Sequence, residues 1–195
     1  MPQPRRLVLA STSAYRRELL QRLGLEFEAV APVFDETPLA GEAADATARR
    51  LSFGKAQSLA ARHADALIVG ADQVASCDGA RLGKPGTHEQ ALRQLRALSG
   101  RQAQFDTAVT VLDGRNGAAE TRVIACRVWF RTLEERKIEA YLRREMPYDC
   151  AGSAKVEGLG IALMSKVETE DPTSLIGLPL IALSEMLERA GLPPI

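Results

Sequence analysis

Hydroxyl and basic residues near the start of the chain have the types and spacing of an anion site. Ser11, Thr12 and Ser13 follow an apolar run and precede a predicted helix, so hydroxyls and backbone N–H groups meet at a positive helix end. Arg16 and Arg17 stand in the first helical turn, where the helix dipole disfavours cations and a bound anion would offset that conflict. The pattern favours an anion site, although a capped surface helix with solvated arginines would explain it as well.

Carboxylates and lysines recur beside the next apolar runs. Asp35 and Glu36 follow the second run, and Asp72 comes directly after the most apolar run of the chain. Two carboxylates at neighbouring strand ends can hold a hard cation and orient a water, with one of them acting as base. Lys55 and Lys84 suit the role of point charges on phosphates. Turn or capping roles for the carboxylates, and a solvated helix face for Lys55, stay open as alternatives.

The small number of cysteines and histidines excludes several other chemistries. The 195 residues include three cysteines and two histidines, too few and too widely spaced for a Cys/His zinc site or a disulfide framework. We expect Cys77, Cys126 and Cys150 to be free thiols in a reducing compartment. A metal ion would therefore take oxygen ligands, which indicates Mg²⁺ or Mn²⁺.

Charge and hydropathy argue against nucleic acid and membranes as partners. The 25 basic and 25 acidic side chains give a formal net charge of zero, so no overall attraction to polyanions is expected. No apolar run approaches the roughly 20 residues that cross a bilayer, and residues 1–6 lack the apolar stretch of a secretory signal. We therefore expect a cytoplasmic protein.

Apolar runs alternate with amphipathic segments, which predicts an α/β fold in which strand ends carry the ligand site. Thr87 and Thr132 are the predicted N-caps of two of the helices. The predicted helices cover 13–23, 47–62, 87–99, 133–143 and 179–190. The predicted strands cover 7–10, 27–33, 66–71, 103–112, 121–130 and 161–164.

The order and wording of these motifs resemble the Maf nucleoside triphosphate pyrophosphatases over nearly the whole chain. The matching segments are Leu9–Ser13 with Arg16, Asp35–Thr37, Lys55–Ala56, Gly70–Val74, Gly83–Pro85, Leu98–Gly100, Cys150–Ser153 and Gly177–Leu180. The resemblance implies a Maf/Ham-like (ITPase-like) α/β fold, with a mixed sheet, flanking helices and two lobes around a deep cleft. We expect a single domain over residues 1–195, its second lobe covering about 80–150.

The resemblance also implies the chemistry: hydrolysis of a nucleoside triphosphate between the α- and β-phosphates, with a divalent cation (Mg²⁺ or Mn²⁺). Asp72 is then the proton acceptor that activates water and, together with Glu36, a metal ligand. A homodimer is a further expectation, because family members are often dimers. The phosphate-binding residues that the resemblance implies are Ser11, Arg16, Lys55 and Lys84.

Two residues resemble the YceF-like branch of the family, which acts on N7-methyl-GTP. Gln73 stands where the other branch usually has threonine, and Glu157 where it tends to have glutamine. Tyr15 departs from close relatives, which have tryptophan at this position, but preserves an aromatic ring. The positive charge of N7-methylguanine favours an aromatic face and a carboxylate, and Gln73 has a donor and an acceptor for the purine edge. We therefore expect Tyr15, Gln73 and Glu157 to set specificity in an enzyme that converts N7-methyl-GTP to N7-methyl-GMP and pyrophosphate, removing modified nucleotides.

Other functions remain open at this point. A dTTP/UTP pyrophosphatase of the other Maf branch would share the phosphate site and differ in its preferred base. A nucleotide-binding regulator of septum formation and cell division would bind without turnover. Replacement of Asp72 by asparagine distinguishes the two, because in an enzyme it should abolish turnover and retain nucleotide binding. A Schiff-base enzyme built on Lys55 is disfavoured, because nearby carboxylates oppose the depressed pKa that a nucleophilic lysine needs.

Overall fold

The computed structural model describes residues 5–195, and in this part of the chain strands alternate with helices along the first half, as predicted. Residues 1–4 lie outside the described residues. They belong to the expected domain, and the argument against a secretory signal rested partly on them. The helices are α1 (Ala14–Gln21), α2 (Ala44–Gln57), α3 (His88–Leu98), α4 (Glu135–Glu145) and α5 (Leu180–Arg189). The strands are β1 (Arg6–Ala10), β2 (Glu28–Val30), β3 (Ala66–Cys77), β4 (Ala80–Leu82), β5 (Gln102–Asp113), β6 (Ala119–Phe130) and β7 (Met164–Thr169).

The seven strands form one hydrogen-bonded sheet in the order β2-β1-β3-β5-β6-β7, with β4 paired to β3. β1 pairs in parallel with both β2 and β3, and its last residue, Ala10, lies opposite Gly70. β4 and β7 pair antiparallel with β3 and β6. The sheet is therefore mixed, and the predicted α/β class is confirmed.

The chain divides into two compact units. The first comprises the residues up to Gln73, Thr107–Ile124 and Asp171–Ile195, and the second comprises Val74–Asp106 and Ala125–Glu170. The chain enters the second unit twice, along β3 and along β6, and returns along β5 and after β7. Candidate site residues are found in both units.

In the first unit, the sheet is covered on both faces. Leu67, Val69 and Ala71 of β3 pack in one cluster with residues of α1 and α5. Ala66 and Ile68 pack in a second cluster with Ala56 of α2 and with Leu59 just after that helix. Because successive side chains of a strand point to opposite faces, a strand buried on both faces has the continuous apolar run that predicted it.

In the second unit, α3 and α4 pack together through apolar faces that recur at helical spacing. Thr87 caps α3 as predicted, its hydroxyl accepting from the Gln90 backbone N–H. Cys77, Cys126 and Cys150 are free thiols, also as predicted. No helix among residues 5–195 has the length and apolarity needed to cross a membrane. The buried helix faces consist of Ala91, Leu95 and Leu98 in α3 and Ile138, Tyr141 and Leu142 in α4.

Two of the predicted boundaries, those of β3 and α2, were wrong. β3 continues to Cys77, so Asp72 lies inside a strand and not after its end, because pairing of Ala75–Cys77 with β4 prolongs the ladder. α2 covers Ala44–Gln57, whereas a single helix over 47–62 was predicted. The Ser58 hydroxyl donates to the carbonyl of Lys55 at the point where α2 ends, and a separate 3₁₀ turn follows.

Two further predictions failed in the second unit. Thr132 does not cap α4, whose N-cap position is Glu134. The backbone N–H of Leu133 donates instead to the Ser99 hydroxyl at 2.8 Å, which holds this segment at the end of α3. The predicted strand at 161–164 is mostly a 3₁₀ turn, and β7 begins only at Met164, because N–H groups after Gly158 bond back within the turn.

Gly70 brings the backbones of α2 and β3 into direct contact. A Cβ at this position would lie 2.1 Å from the Ser52 carbonyl oxygen and 2.9 Å from the Ala56 nitrogen. Both atoms belong to the backbone of α2, so neither can move aside without moving the helix. Glycine is thus required for the approach of α2, and Lys55 lies on the stretch of α2 between these two residues.

We expect Gly70→Ala to lower the free energy of unfolding by about 1–3 kcal/mol, because the methyl group overpacks the contact between helix and sheet. Urea unfolding would measure the loss. Gly83→Ala is the matched control, since a Cβ at Gly83 meets nothing within 4 Å. Equal stability of the two variants would contradict the close approach of α2 to β3.

Candidate active site

A buried ammonium group between two carboxylates forms the centre of the candidate site. Lys55 Nζ donates to Asp72 Oδ1 at 2.7 Å and lies 2.8 Å from Glu36 Oε2. The side chains of Lys55 and Asp72 are only 7% and 10% exposed, whereas that of Glu36 is 55% exposed. A buried pair thus extends to a solvent-facing carboxylate, and the alternative of a solvated Lys55 is wrong.

Strand register explains why Asp72 is available at this place. The parallel pairing of β1 with β3 ends at Ala10 and Gly70. Gly70 and Asp72 point to the same face of β3, so Asp72 is the first side chain on that face beyond the end of β1. Asp72 is therefore inside its own strand but past the end of the neighbouring one, where parallel sheets place ligands.

Asp35 and Glu36 have different roles although they are adjacent. Asp35 Oδ1 accepts from the backbone N–H of Thr37 at 2.9 Å and from its hydroxyl at 2.6 Å. These hydrogen bonds, the side-chain one first, lower the pKa of Asp35. Asp35 thus shapes the turn that the sequence left open, and the turn carries Glu36 to the ammonium of Lys55.

The start of α1 has the hydroxyl-rich geometry that the sequence predicted. The Ser13 hydroxyl accepts from the Arg16 backbone N–H, and the buried Ser11 hydroxyl accepts from the Ser13 backbone N–H at 3.1 Å. Arg16 Nε donates to the carbonyl of Gly177 at 2.9 Å. Half-buried Tyr15 lies in the same helical turn.

Arg16 belongs to the same electrostatic neighbourhood as Lys55. Burial lowers the pKa of the Arg16 guanidinium, while the negative charges of Asp72 and Glu36 act in the opposite direction. Two cations and two carboxylates are therefore brought together in the first unit. This arrangement is suited to an anion that would attract the cations away from their carboxylate partners.

Gln73 points away from Asp72, to the opposite face of β3. Its amide nitrogen donates to Thr107 Oγ1 at 3.0 Å, to the Ser174 carbonyl at 2.9 Å and to the Leu175 carbonyl at 3.2 Å. An amide has two N–H groups, so both are used by these three acceptors. The amide nitrogen of Gln73 is thus occupied by protein acceptors in this structure, and the expected contact of Gln73 with a purine edge stays a prediction.

Lys84 lies in the second unit, exposed on the loop between β4 and α3. The loop is held on both sides of the lysine. The Gly83 carbonyl accepts from Gln94 Nε2 at 2.9 Å, and the Gly86 N–H donates to the Tyr148 carbonyl at 2.9 Å. Because the backbone is bonded on both sides of Lys84, only the lysine side chain itself is without such an anchor in the loop.

Gln94 also holds the segment that carries Glu157. Its amide oxygen accepts from the Ser153 hydroxyl at 2.7 Å, and the Tyr141 hydroxyl bonds to the Ser153 carbonyl and the Lys155 N–H. Glu157 is exposed overall, but partial desolvation raises the pKa of its carboxyl, and the nearby charges of Glu145 and Asp149 add to that rise while Lys155 opposes it. The Lys84 loop and the Glu157 segment therefore share one glutamine.

Several residues that shape the site were missed from the sequence. Gln94 and Tyr141 sit on ordinary helical positions, and nothing in their spacing marks a bond to a distant loop. Thr107 lies inside an apolar strand. Gly177 alone offered a signal, since a glycine before Leu-Pro is typical of a turn, and its φ of 121° is a left-handed value that favours glycine.

The oxygen donors of the first unit fit a divalent metal ion of the magnesium type. Carboxylate oxygens of Glu36 and Asp72 both contact Lys55 Nζ, so they face one position that already holds a positive charge. No group of three or more His, Cys, Asp or Glu side chains within residues 5–195 forms a metal cage. Mg²⁺ commonly takes one or two carboxylates and completes its shell with water and substrate phosphates, which this donor set allows.

Comparison with known proteins adds a family to this geometry. A family model described as "Maf-like protein" matches residues 6–190. A "7-methyl-GTP pyrophosphatase" of Cupriavidus pinatubonensis is 57% identical over 192 residues, which cover 98% of this chain and 96% of the relative. A protein of the same name from Thiobacillus denitrificans is 58% identical over 185 residues, 95% and 92% of the two chains. Another, from Burkholderia pseudomallei, is 54% identical over 193 residues, 97% and 90% of the chains.

A solved structure of a HAM1 protein from Coxiella burnetii is a much more distant match. It aligns with a TM-score of 0.43 and 16% identity over 65% of this chain and 73% of that one. This similarity is too low to bear on fold or function.

We expect Lys55→Met to lower the free energy of unfolding at pH 7 by about 3 kcal/mol, because the Asp72 carboxylate would stay buried without its partner. The loss should shrink in an Asp72→Asn background, where no buried charge remains. Denaturant unfolding would measure both. The control is Lys137→Met, which removes an exposed ion pair with Glu134 and should change stability by less than about 1 kcal/mol. Similar losses from the two lysine variants would contradict the buried pair.

Proposed function

The chain belongs to the Maf family, and we propose that it is a nucleoside triphosphate pyrophosphatase that converts N7-methyl-GTP and water to N7-methyl-GMP and pyrophosphate. The observation that carries the proposal is the buried Lys55 ammonium shared by Asp72 and Glu36, with Arg16 beside them. The proposal is also supported by similarity to proteins named "7-methyl-GTP pyrophosphatase", which are 54–58% identical to this chain over most of their length.

We propose Asp72 as the base of the reaction. A triphosphate binding near Lys55 would compete with Asp72 for the ammonium, and the released carboxylate would accept a proton from water. The water oxygen would bond to the α-phosphorus, and the bridging oxygen to the β-phosphorus would leave with pyrophosphate. The buried position of Asp72 limits the number of waters that can reach it, which favours one attacking water.

The cationic side chains would stabilise the charge that builds on the leaving pyrophosphate. Arg16 is held by the Gly177 carbonyl before the ligand arrives, so little reorganisation of this cation is needed when charge develops, whereas Lys55 would exchange Asp72 for a phosphate oxygen. Arg16 can meet two phosphate oxygens at once with its planar guanidinium, whereas Lys55 and Lys84 act as point charges. Ser11 is proposed to contribute its hydroxyl and the backbone N–H groups that follow it at the start of α1.

Glu36 and Asp72 are the residues that would hold a divalent cation, Mg²⁺ or Mn²⁺. When bound, such an ion neutralises phosphate oxygens as a Lewis acid. Glu36 suits this role because more than half of its side chain is exposed and can reorient. Without added positive charge, the two carboxylates would repel an incoming triphosphate.

For the base, we propose that Tyr15 and Glu157 contribute separately to the preference for N7-methylguanine. The ring of Tyr15 offers an aromatic face to the delocalised cation. The Glu157 carboxylate would accept hydrogen bonds from N–H groups of the base and complement its charge. Partial desolvation raises the pKa of the Glu157 carboxyl, and hydrogen bonds to a partly desolvated carboxylate are stronger than in water.

The direct test is a panel of triphosphates assayed for released pyrophosphate. With Mg²⁺ or Mn²⁺, we expect N7-methyl-GTP to be cleaved faster than GTP, dTTP or UTP, and a chelator should stop cleavage. Asp72→Asn should lower kcat by at least about 100-fold and keep nucleotide binding, whereas exposed Asp45→Asn should leave kcat unchanged. Faster cleavage of dTTP and UTP would assign the chain to the other branch, and binding without turnover by the unmodified chain would favour the regulator.

A second experiment tests the charge of Glu157. We expect Glu157→Gln to reduce the preference for N7-methyl-GTP over GTP by about fivefold, since a charged acceptor binds more strongly than an amide. In the unmodified chain the preference should also fall on acidification through the raised pKa of Glu157, because protonation removes the charge. Glu89→Gln, an exposed control, should keep the preference and its pH dependence. An unchanged preference in Glu157→Gln would show that the carboxylate does not read the base.

A further inference from the structure

A short turn after β7 connects four elements of the first unit, namely α1, β3, β5 and α5. The segment Asp171–Gly177, hereafter the 171–177 turn, contains a 3₁₀ turn over Pro172–Ile176. The buried Asp171 carboxylate accepts from the backbone N–H of Ile181 at 2.7 Å, and Thr173 Oγ1 accepts from the N–H of Leu180 at 2.8 Å. The turn is thus fixed to the N-terminal end of α5.

Gln73 holds the other side of the same turn. Its amide nitrogen meets the carbonyls of Ser174 and Leu175, and Thr107 Oγ1 donates to the Ser174 carbonyl at 2.9 Å. Carbonyl oxygens only accept, so the amide must present its nitrogen to them. Ser174 and Thr107 are fully buried, so water cannot replace these bonds without opening the turn.

The turn ends on the arginine of the candidate phosphate site. The Gly177 N–H donates to the Ser174 carbonyl at 2.9 Å, and the Gly177 carbonyl accepts from Arg16 Nε at 2.9 Å. Gly177 has a φ of 121°, and a Cβ there would lie 3.6 Å from Arg16 Nε. Hydrogen bonds therefore run without interruption from Gln73 through Ser174 and Gly177 to Arg16.

This path begins one residue from the proposed base. Asp72 and Gln73 are consecutive in β3 and point to opposite faces, the first toward Lys55 and the second toward the 171–177 turn. A single stretch of strand thereby sets the position of the proposed base on one face and holds, on the opposite face, the turn that bonds Arg16. A shift of one relative to the other would require the strand or the turn to move.

We propose that Gln73 is a positioning residue that orients the Arg16 guanidinium through the 171–177 turn. The inference rests on the proposed function in that Arg16 is taken to bind phosphate. The bond from Nε to the Gly177 carbonyl restricts how the guanidinium can turn, and thereby where its four remaining N–H groups point. Bidentate phosphate binding depends on that orientation.

The test is Gln73→Met, which keeps the length of the side chain and removes its hydrogen bonds. We expect kcat/KM to fall by about 10- to 100-fold for N7-methyl-GTP, GTP and UTP alike, since a phosphate-binding group would be misplaced. Inorganic pyrophosphate, which has no base, should also bind more weakly to Gln73→Met in calorimetry. In an Arg16→Lys background, where Nε is absent, the further loss from Gln73→Met should be less than about threefold.

Three results would overturn the proposal. They are a change confined to one base, unaltered pyrophosphate binding, and full multiplication of the Gln73→Met and Arg16→Lys effects. Gln104→Met is the control, because this half-buried glutamine bonds Asp106 in the second unit and should leave turnover unchanged. Gly177→Ala perturbs the Arg16 end of the path and should lower kcat/KM and pyrophosphate binding as Gln73→Met does. It replaces Gln73→Met in the test if thermal unfolding shows that Gln73→Met is not folded. An unmodified chain that binds pyrophosphate but cleaves nothing would reject the proposed function while leaving the binding test of Gln73 intact.

Discussion

The burial of the Lys55 ammonium against two carboxylates is the constraint on which the rest of the site depends. Removing an ammonium and a carboxylate from water costs several kcal/mol for each ion, which their mutual attraction offsets only when the geometry is close. Apolar side chains of similar volume would often be at least as stable in such a position. The arrangement is therefore better explained by what its charges do for a ligand than by what they add to stability.

The ion pair of Lys55 and Asp72 requires a particular arrangement of the backbone around it. Lys55 reaches Asp72 because α2 lies directly on β3, and α2 lies there because Gly70 has no side chain. The next residues of β3 alternate between faces, so Asp72 joins the charged cluster while Gln73 joins the 171–177 turn. The two proposed roles, proton transfer by Asp72 and orientation of a cation by Gln73, thus come from adjacent positions of one strand.

Local sequence patterns predicted most helices and strands, but not the distant residues that pair with them and change their ends. The Thr87 cap could be predicted because it depends only on a hydroxyl that directly precedes a helical pattern. The position of Asp72 within β3 was not visible, because aspartate is uncommon in strands and the pairing with β4 that prolongs β3 is nonlocal. For the same reason the residue types indicated a phosphate role for Lys55 but not its burial, and showed the two polar ends of Gln73 but not the carbonyls that it meets.

The charges of the first unit also explain why the site needs its ligand to complete it. Arg16 and Lys55 are balanced by Glu36 and Asp72, so these four groups attract a polyphosphate only weakly as long as they pair with one another. In the proposed reaction, binding would separate Lys55 from Asp72, which would turn a structural ion pair into a phosphate contact and a carboxylate able to accept a proton. Two carboxylates would then face the phosphates, and at that stage positive charge from outside the chain would stabilise the complex most. The same exchange of partners would thus create both the base and the demand for a dication, which ties the proposed metal requirement to the buried lysine.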